Sequence, residues 1–207
     1  MTYPIVDKFS SIQGEGFWVG TQAVFVRFAG CPPPLCGGCD TDFTAREHLT
    51  ADEIVGYILQ TDIPHVVLTG GEPCIYDLTP IVEPLLDSKR VDMIEIETSG
   101  KEALRLDTRR WHRIWITVSP KAAVSFRVDP SVLYRARVLK FVVTEDFDPS
   151  VISLCLPVAG RLPVFLQPWD YGDPEKNKHI LSKTLEILKL NPKWRLSIQV
   201  HKLLGLK

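Results

Sequence analysis

With 207 residues, 45% of them hydrophobic and 24% charged, the chain has the composition of an ordinary globular protein with one substantial core, which excludes a disordered or fibrous polypeptide. Its net charge of −1 comes without blocks of like charge, so no electrostatic pull toward nucleic acid or an anionic membrane is expected. No apolar run is long enough to span a bilayer, and Met1 to Asp7 lacks the basic and apolar regions of a signal peptide, so a single cytoplasmic domain over 1–207 is expected.

In chain order, the first apolar run of strand length is Ala23 to Phe28. It leads into three clustered thiols, Cys31, Cys36 and Cys39. A structural zinc site normally closes with four protein ligands, so three leave one position for something that reacts. On this ground alone an iron–sulfur cluster with one iron free of protein and a zinc site both stay open. The odd total of five cysteines argues against a secreted disulfide framework. Cys74 and Cys155 sit apart among apolar neighbours and read as small buried hydrophobes.

Thr50 followed by Glu53 predicts a capping box that opens a helix through Ile54, Tyr57 and Ile58. The strand-like run His65 to Thr69 ends in Gly70, Gly71, Glu72 and Pro73. Paired glycines there suit either a tight strand-to-helix turn or the close approach of a ligand, with Glu72 or backbone groups able to hold an ammonium. A helix is predicted over Leu78 to Leu86. The run Met93 to Glu97 ends in Glu97, Thr98 and Ser99, an acceptor and two hydroxyls suited to a ribose. Glu95 shares a face with Glu97, so one of the two need only be solvated or paired with Lys or Arg. Ile114 to Ser119 follows, with Lys121 just beyond it as a surface residue or a cation for a carboxylate. Val138 to Val143 and Val164 to Leu166 complete the runs. A turn of helix is predicted at Ser150 to Leu154 and a long helix over Glu175 to Leu190, with Ile180, Leu181, Leu185 and Leu188 as its apolar stripe. After Trp194 a final strand or extended segment is expected.

Val- and Ile-rich strands alternating with helices predict an α/β fold with a parallel sheet covered by helices. The chain is short for a complete eight-fold barrel, which takes about 250 residues. An incomplete, TIM-like barrel of about six mainly parallel strands with few helices is expected, with its chemistry at the C-terminal strand ends.

Clustered cysteines after the first core strand, Gly-Gly-Glu-Pro after the second, Glu-Thr-Ser-Gly after the third and Ser-Pro-Lys after the fourth resemble the radical S-adenosylmethionine enzymes. More narrowly, the stretch Ser11 to Gly16, the Arg27-to-Cys31 segment, Cys39-Asp40-Thr41 and Gln199 to Lys202 resemble the 7-carboxy-7-deazaguanine synthases, in the same motif order over essentially the whole chain.

The resemblance implies that Cys31, Cys36 and Cys39 bind three irons of a 4Fe-4S cluster, whose fourth iron is chelated by the amino and carboxylate groups of S-adenosylmethionine. Reductive cleavage of that cofactor then yields a deoxyadenosyl radical that takes a hydrogen atom from substrate. By motif position Gly70, Gly71 and Glu72 hold the methionine amino group. Glu97, Thr98 and Ser99 address the ribose, and Ser119, Lys121 and Gln167 complete the cofactor site. The implied substrate is 6-carboxy-5,6,7,8-tetrahydropterin. Arg27 offers its carboxylate a bidentate fork, with a structural ion pair as the alternative role. Ile12, Gln13, Gly14, Glu15, Gly16, Gly71, Gln199 and His201 would supply the mixed donors and acceptors that the pterin edge needs. Asp40 and Glu15 are the expected catalytic residues, and Thr41 the direct protein ligand of Mg²⁺, which otherwise keeps waters and substrate oxygens. A homodimer and a flavodoxin or ferredoxin as electron donor are also implied.

The chain departs from the usual family spacing by carrying four residues in the first cysteine gap, and it has Gly38 where an aromatic residue often precedes the third cysteine. Pro32, Pro33 and Pro34 have no N–H to offer cluster sulfur, so donors are expected on Gly37 and Gly38. Two alternatives compete. A glycyl-radical activase has no need of the Gln13 and Gln199 motifs. A zinc-binding module using His48 or Asp40 as fourth ligand leaves the strand-end motifs without a role.

Overall fold

A computed structural model describes residues 1–33, 36–37, 44–155 and 162–206. β1 (Thr2–Ile12) and β2 (Gln22–Phe28) open the chain as an antiparallel pair, and β3 (Glu47–Thr50) adds antiparallel to the far side of β1. From β2 onward every pairing is parallel, through β4 (His65–Gly70), β5 (Met93–Thr98), β6 (Ile114–Val118), β7 (Val138–Val143), β8 (Val164–Pro168) and the two-residue β9 (Arg195–Leu196). The order β3-β1-β2-β4-β5-β6-β7-β8-β9 does not close on itself, so the described residues form an open, mostly parallel sheet with few helices, as expected of an incomplete barrel. The six expected runs are β2 and β4 to β8. β1 and β3 are additions beside the parallel block, and β9 is the strand expected after Trp194.

The helices α1 (Ala51–Leu59), α2 (Thr79–Asp87), α3 (Pro130–Arg135), α4 (Pro174–Leu190) and α5 (Val200–Leu204) connect or follow the strands. α1 starts at the predicted capping box: the Glu53 amide donates to Thr50 Oγ1 at 3.3 Å, and the Thr50 amide donates to Glu53 Oε2 at 2.7 Å. Thr50→Ala is therefore expected to cost about 1 kcal/mol, read as a lower urea midpoint at unchanged denaturant slope. The stripe of α4 needs correction. Ile180, Thr184 and Ile187 face inward, whereas Leu181 and Leu185 are exposed, because the helix lies against β8 by a narrower strip than the four apolar positions suggested. The segment after Trp194 is extended only through β9, and Val200–Leu204 turns into α5. Cys74 and Cys155 are buried as expected. Among the described residues, no helix is long and apolar enough to cross a membrane.

Alternation along the parallel strands sorts the side chains onto two unlike faces. Val24, Val26, Phe28, Val66, Leu68, Ile94, Ile96, Ile116, Leu139, Phe141 and Leu166 join the main apolar core with Ile54, Ile58, Ile81, Val82, Leu85 and Ile187 from the helices. The opposite, inner face has an apolar patch beside β1, where Phe9 packs on Phe25 and Val67. Further along it carries Glu95, Glu97, Thr117, Lys140 and Gln167. At its N-terminal end Phe17 stacks on Trp115 with ring centroids 4.4 Å apart, and Trp18 lies 5.0 Å from the His65 ring. The inner face is thus closed by aromatics at one end and left polar toward the other, where the strands terminate.

Candidate active site

The C-terminal ends of β2 and β4 to β8 open into one cleft of about 590 Å³. Its walls are Gly70 and Gly71 after β4, Glu97, Thr98 and Ser99 at the end of β5, Ser119 and Lys121 after β6, and Gln167 on β8. Cys31, Cys36 and Gly37 border it from the loop after β2, Ile12, Gln13, Gly14 and Glu15 from the turn after β1, and Gln199 and His201 from the C-terminal segment. The parallel strands deliver their C-terminal ends to one side, whereas β1 is antiparallel, so the turn after it, with the C-terminal segment seated on it, reaches the cleft from the opposite end. Of the described candidates, Gly16 and Glu72 alone do not line it. Cys39, Asp40, Thr41 and Gly38 lie outside the described residues.

The two glycines after β4 serve backbone packing. Gly70 has φ +125°, and a Cβ on it would sit 2.2 Å from the Phe28 carbonyl oxygen. A Cβ on Gly71 would sit 1.9 Å from the carbonyl oxygen of Gly30. This space lets the Gly71 amide donate to Phe28 at 2.9 Å and the Glu72 amide donate to Gly30 at 2.9 Å. The loop that carries Cys31 is thereby clamped against the end of β4. Lys101, beyond Gly100, donates its ammonium to the Pro32 carbonyl and ties the same loop to the end of β5.

Glu72 is fully buried behind the cleft, and its carboxylate is already engaged. Oε1 accepts from the Cys74 amide at 3.1 Å and from the Thr98 hydroxyl at 2.5 Å, while Oε2 accepts from the Ser99 amide at 2.9 Å and the Ser99 hydroxyl. These contacts fix the two hydroxyl residues at the end of β5. Gly16 likewise works from behind: its amide donates to Ser197 Oγ at 3.0 Å, and that hydroxyl donates to Gln167 at 2.9 Å. Lys121 donates to Ser119 Oγ at 2.9 Å. Gly14 leaves room for His201, whose Nδ1 lies 2.1 Å from where a Cβ would be. The Val200 amide donates to the Gly14 carbonyl at 2.9 Å, which seats the C-terminal segment on the turn after β1.

Arg27 projects from β2 over the Phe9 ring, 5.9 Å from its centroid, and has no carboxylate partner among the described residues. The structural ion pair weighed for it is therefore not formed there, and the guanidinium faces the cleft.

A charged cluster occupies the cleft floor. Lys140, only 7% exposed on β7, forms a salt bridge with Glu15 Oε2, and Gln199 donates to Glu15 Oε1 at 2.8 Å. Gln13 Nε2 donates to Glu95 Oε2 at 2.9 Å and to Glu97 Oε1 at 3.2 Å, and Thr69 donates to Glu97 Oε2 at 2.8 Å. Glu95 also accepts from Thr117 at 2.6 Å and lies 3.4 Å from His65 Nε2. Burial pushes the Glu15 carboxyl up, but the Lys140 ammonium and its hydrogen bond, with help from Gln199 and His201, hold it at about 2. Burial would drive the Lys140 ammonium toward its neutral form, yet Glu15, Glu97 and Glu95 around it raise its pKa instead. Glu97 is raised by burial and by the neighbouring carboxylates Glu95 and Glu15, against the lowering pull of Lys140.

Sequence reading overlooked Lys140. The signal was a lysine at the third position of an otherwise apolar six-residue strand, Val-Leu-Lys-Phe-Val-Val, where a cation is tolerated only with buried counter-charge. Glu95 is neither solvated nor in contact with Lys or Arg: it is buried and held by Gln13 and Thr117, with His65 at 3.4 Å.

No family model matches the chain. It is 34% identical to the 7-carboxy-7-deazaguanine synthase of Bacteroides thetaiotaomicron over 207 residues, covering all of both chains. With the synthase of Escherichia coli (strain K12) it shares 31% identity, again over all of both chains. Among solved structures, QueE from Escherichia coli superposes with a TM-score of 0.80 at 29% identity, covering 97% of this chain and 95% of that one. Likeness that runs from end to end in both sequence and backbone means that the chain belongs to the 7-carboxy-7-deazaguanine synthase family.

Proposed function

We infer that the chain is a radical S-adenosylmethionine lyase that converts 6-carboxy-5,6,7,8-tetrahydropterin to 7-carboxy-7-deazaguanine, with ring contraction and loss of ammonia, in 7-deazapurine (queuosine) biosynthesis. The observation that carries this reading is the convergence of Cys31 and Cys36, the guanidinium of Arg27 and the Glu15–Gln199–His201 wall in one cleft at the strand ends. Soft thiolate donors suit an iron–sulfur cluster, and the described part of the triplet presents two of them to the cleft; Cys39 supplies the third in sequence. Bound there, a 4Fe-4S cluster would supply one-electron cleavage of S-adenosylmethionine and, through the radical so formed, hydrogen-atom abstraction from substrate.

The chain's own residues bind and orient. Backbone groups at Gly70 and Gly71 address the methionine end of the cofactor, and Glu97, Thr98, Ser99, Ser119, Lys121 and Gln167 surround the nucleoside. Glu72 contributes from behind by fixing Thr98 and Ser99. Arg27 takes the substrate carboxylate, while Ile12 to Gly16, Gln199 and His201 take the pyrimidine edge. Thr41 and Asp40 are assigned to Mg²⁺ and its waters on the chemistry of their oxygens. The electron comes from a flavodoxin or ferredoxin, and the working unit is a homodimer.

The test is release of 5′-deoxyadenosine by anaerobically reconstituted, reduced protein. Stimulation by the carboxypterin, larger with Mg²⁺ than with EDTA, is the expected result. Stoichiometric zinc in place of iron–sulfur absorbance, or release that ignores the pterin, would contradict it.

A further inference from the structure

Of the floor carboxylates Glu95 is buried and Glu15 and Glu97 are half-buried, and one ammonium is shared among them. From β5 the groups that face Glu15 are Glu97 and, behind it, Glu95. From β7 it is Lys140, from the C-terminal segment Gln199 and His201, and from the lower end of β4 His65 reaches only Glu95. Lys140 touches Glu15 directly and is the only lysine or arginine to do so among the described residues. Lys140 stands on β7 in register with Phe165 and is 7% exposed, so its ammonium is held away from water beside Glu15.

The charge state of Glu15 decides what the cleft floor can read. An ionised carboxylate only accepts hydrogen bonds, and with two of its positions used by Lys140 and Gln199 it keeps lone pairs for two further donors. A protonated Glu15 would present an O–H to the same place. The pyrimidine edge of a pterin offers paired N–H donors, from N3 and the 2-amino group, whereas a 2-oxo analogue replaces one donor by a carbonyl.

We propose that Lys140 is a positioning and specificity-determining residue: it holds Glu15 as an ionised, aimed acceptor, and so makes the cleft select an edge with paired N–H donors over one with a carbonyl at the 2-position. This rests on the reading that the pterin's pyrimidine edge lies against Gln13 to Gly16. Lys140 needs no contact with substrate for this role, and it acts through Glu15. The low value of about 2 for the Glu15 carboxyl agrees with the geometry. The sign is that Glu15 contributes stability above its ordinary carboxylate range and loses it as pH falls toward about 2. Without the Lys140 ammonium, burial is opposed by Gln199 and His201, and the carboxyl titrates at higher pH.

The test uses the reconstituted full chain, with 6-carboxypterin and 6-carboxylumazine as stable probes that differ at the 2-position, and ¹³C NMR of glutamate carboxyls to follow Glu15. Wild type should show Glu15 ionised throughout pH 4 to 8 and prefer the pterin. Lys140→Met should bind 6-carboxypterin about tenfold or more weakly, with the loss growing as pH falls, and should discriminate less against the lumazine. Lys140→Arg should recover most of both, and Lys140→Met should add little in a Glu15→Gln background. A folded Lys140→Met with unchanged Glu15 titration and unchanged discrimination would overturn the proposal. Should Lys140→Met fail to fold, titration of Glu15 between pH 4 and 8 in wild type would overturn it as well. If wild type ignores both probes while Glu15 stays ionised and Lys140→Arg preserves that state, the substrate reading falls and the hold of Lys140 on Glu15 stands.

Discussion

Replacing Cys36 by alanine is expected to abolish both the iron–sulfur absorbance of the reconstituted protein and carboxypterin turnover, while the fold survives. Cys36 is half-buried on the loop after β2, lines the cleft and belongs to no strand or helix, so its loss leaves the sheet and the apolar core intact. A site of three thiolates has no spare ligand. With two left, a 4Fe-4S cluster is held at one fewer iron and is lost on desalting. Thermal unfolding of the cluster-free proteins should differ little, because a surface loop substitution of this kind typically moves stability by about 0.5 kcal/mol. The readouts are iron and sulfide content, visible absorbance and a melting curve of variant and wild type, each stripped of metal. Retention of full cluster absorbance would remove Cys36 from the ligand set. Cys74→Ala provides the contrast: that thiol is buried among Leu78 and its neighbours in the core, so its loss should touch stability and leave the absorbance in place.

Gly71→Ala is expected to lower turnover by about 100-fold or more and to destabilise the protein, although alanine adds one methyl and no charge. The methyl carbon would fall 1.9 Å from the Gly30 carbonyl oxygen and 2.6 Å from its carbon, both backbone atoms with no rotamer to escape into. The loop after β2 must then move away from β4, which breaks the Glu72-to-Gly30 hydrogen bond of 2.9 Å and carries Cys31 with it. Overpacking of this kind costs about 1–3 kcal/mol, and a shift of about 1 Å in a reacting group costs about 100-fold in rate. The two effects separate by experiment: the activity loss should persist well below the melting temperature and should come with altered cluster absorbance. Wild-type turnover by a stable Gly71→Ala protein would show that the glycine pair does not position the cysteine loop.

The parallel strands were legible because β2 and β4 to β8 are Val- and Ile-rich runs bounded by Gly, Pro or polar residues. β1 escaped notice since Asp7, Lys8, Ser10 and Ser11 interrupt its apolar residues; as an antiparallel strand toward the edge, it can leave those side chains partly exposed. β3, of four residues, is too short to show periodicity, whereas β9 falls where a strand or extended segment was expected after Trp194. In the site, the glycines, hydroxyls and thiols were readable as types at strand ends. Their division of labour was not. Gly71 looks equally apt for a ligand and for a neighbouring strand until Gly30 is seen against it, and the Glu72 carboxylate turns away from the cleft toward Cys74, Thr98 and Ser99. For Lys140 the apolar strand around it asks for a buried counter-charge, but its partners Glu15 and Glu97 are 125 and 43 positions away, and nothing local says which residues supply it.

Ring contraction in this cleft is open to direct assay. The most direct measurement is incubation of the reconstituted chain with 6-carboxy-5,6,7,8-tetrahydropterin, S-adenosylmethionine, Mg²⁺ and a reductant under anaerobic conditions, with products identified by mass. 7-Carboxy-7-deazaguanine and one equivalent of ammonia are predicted. An intact cluster that cleaves S-adenosylmethionine and leaves the carboxypterin unchanged would contradict the account.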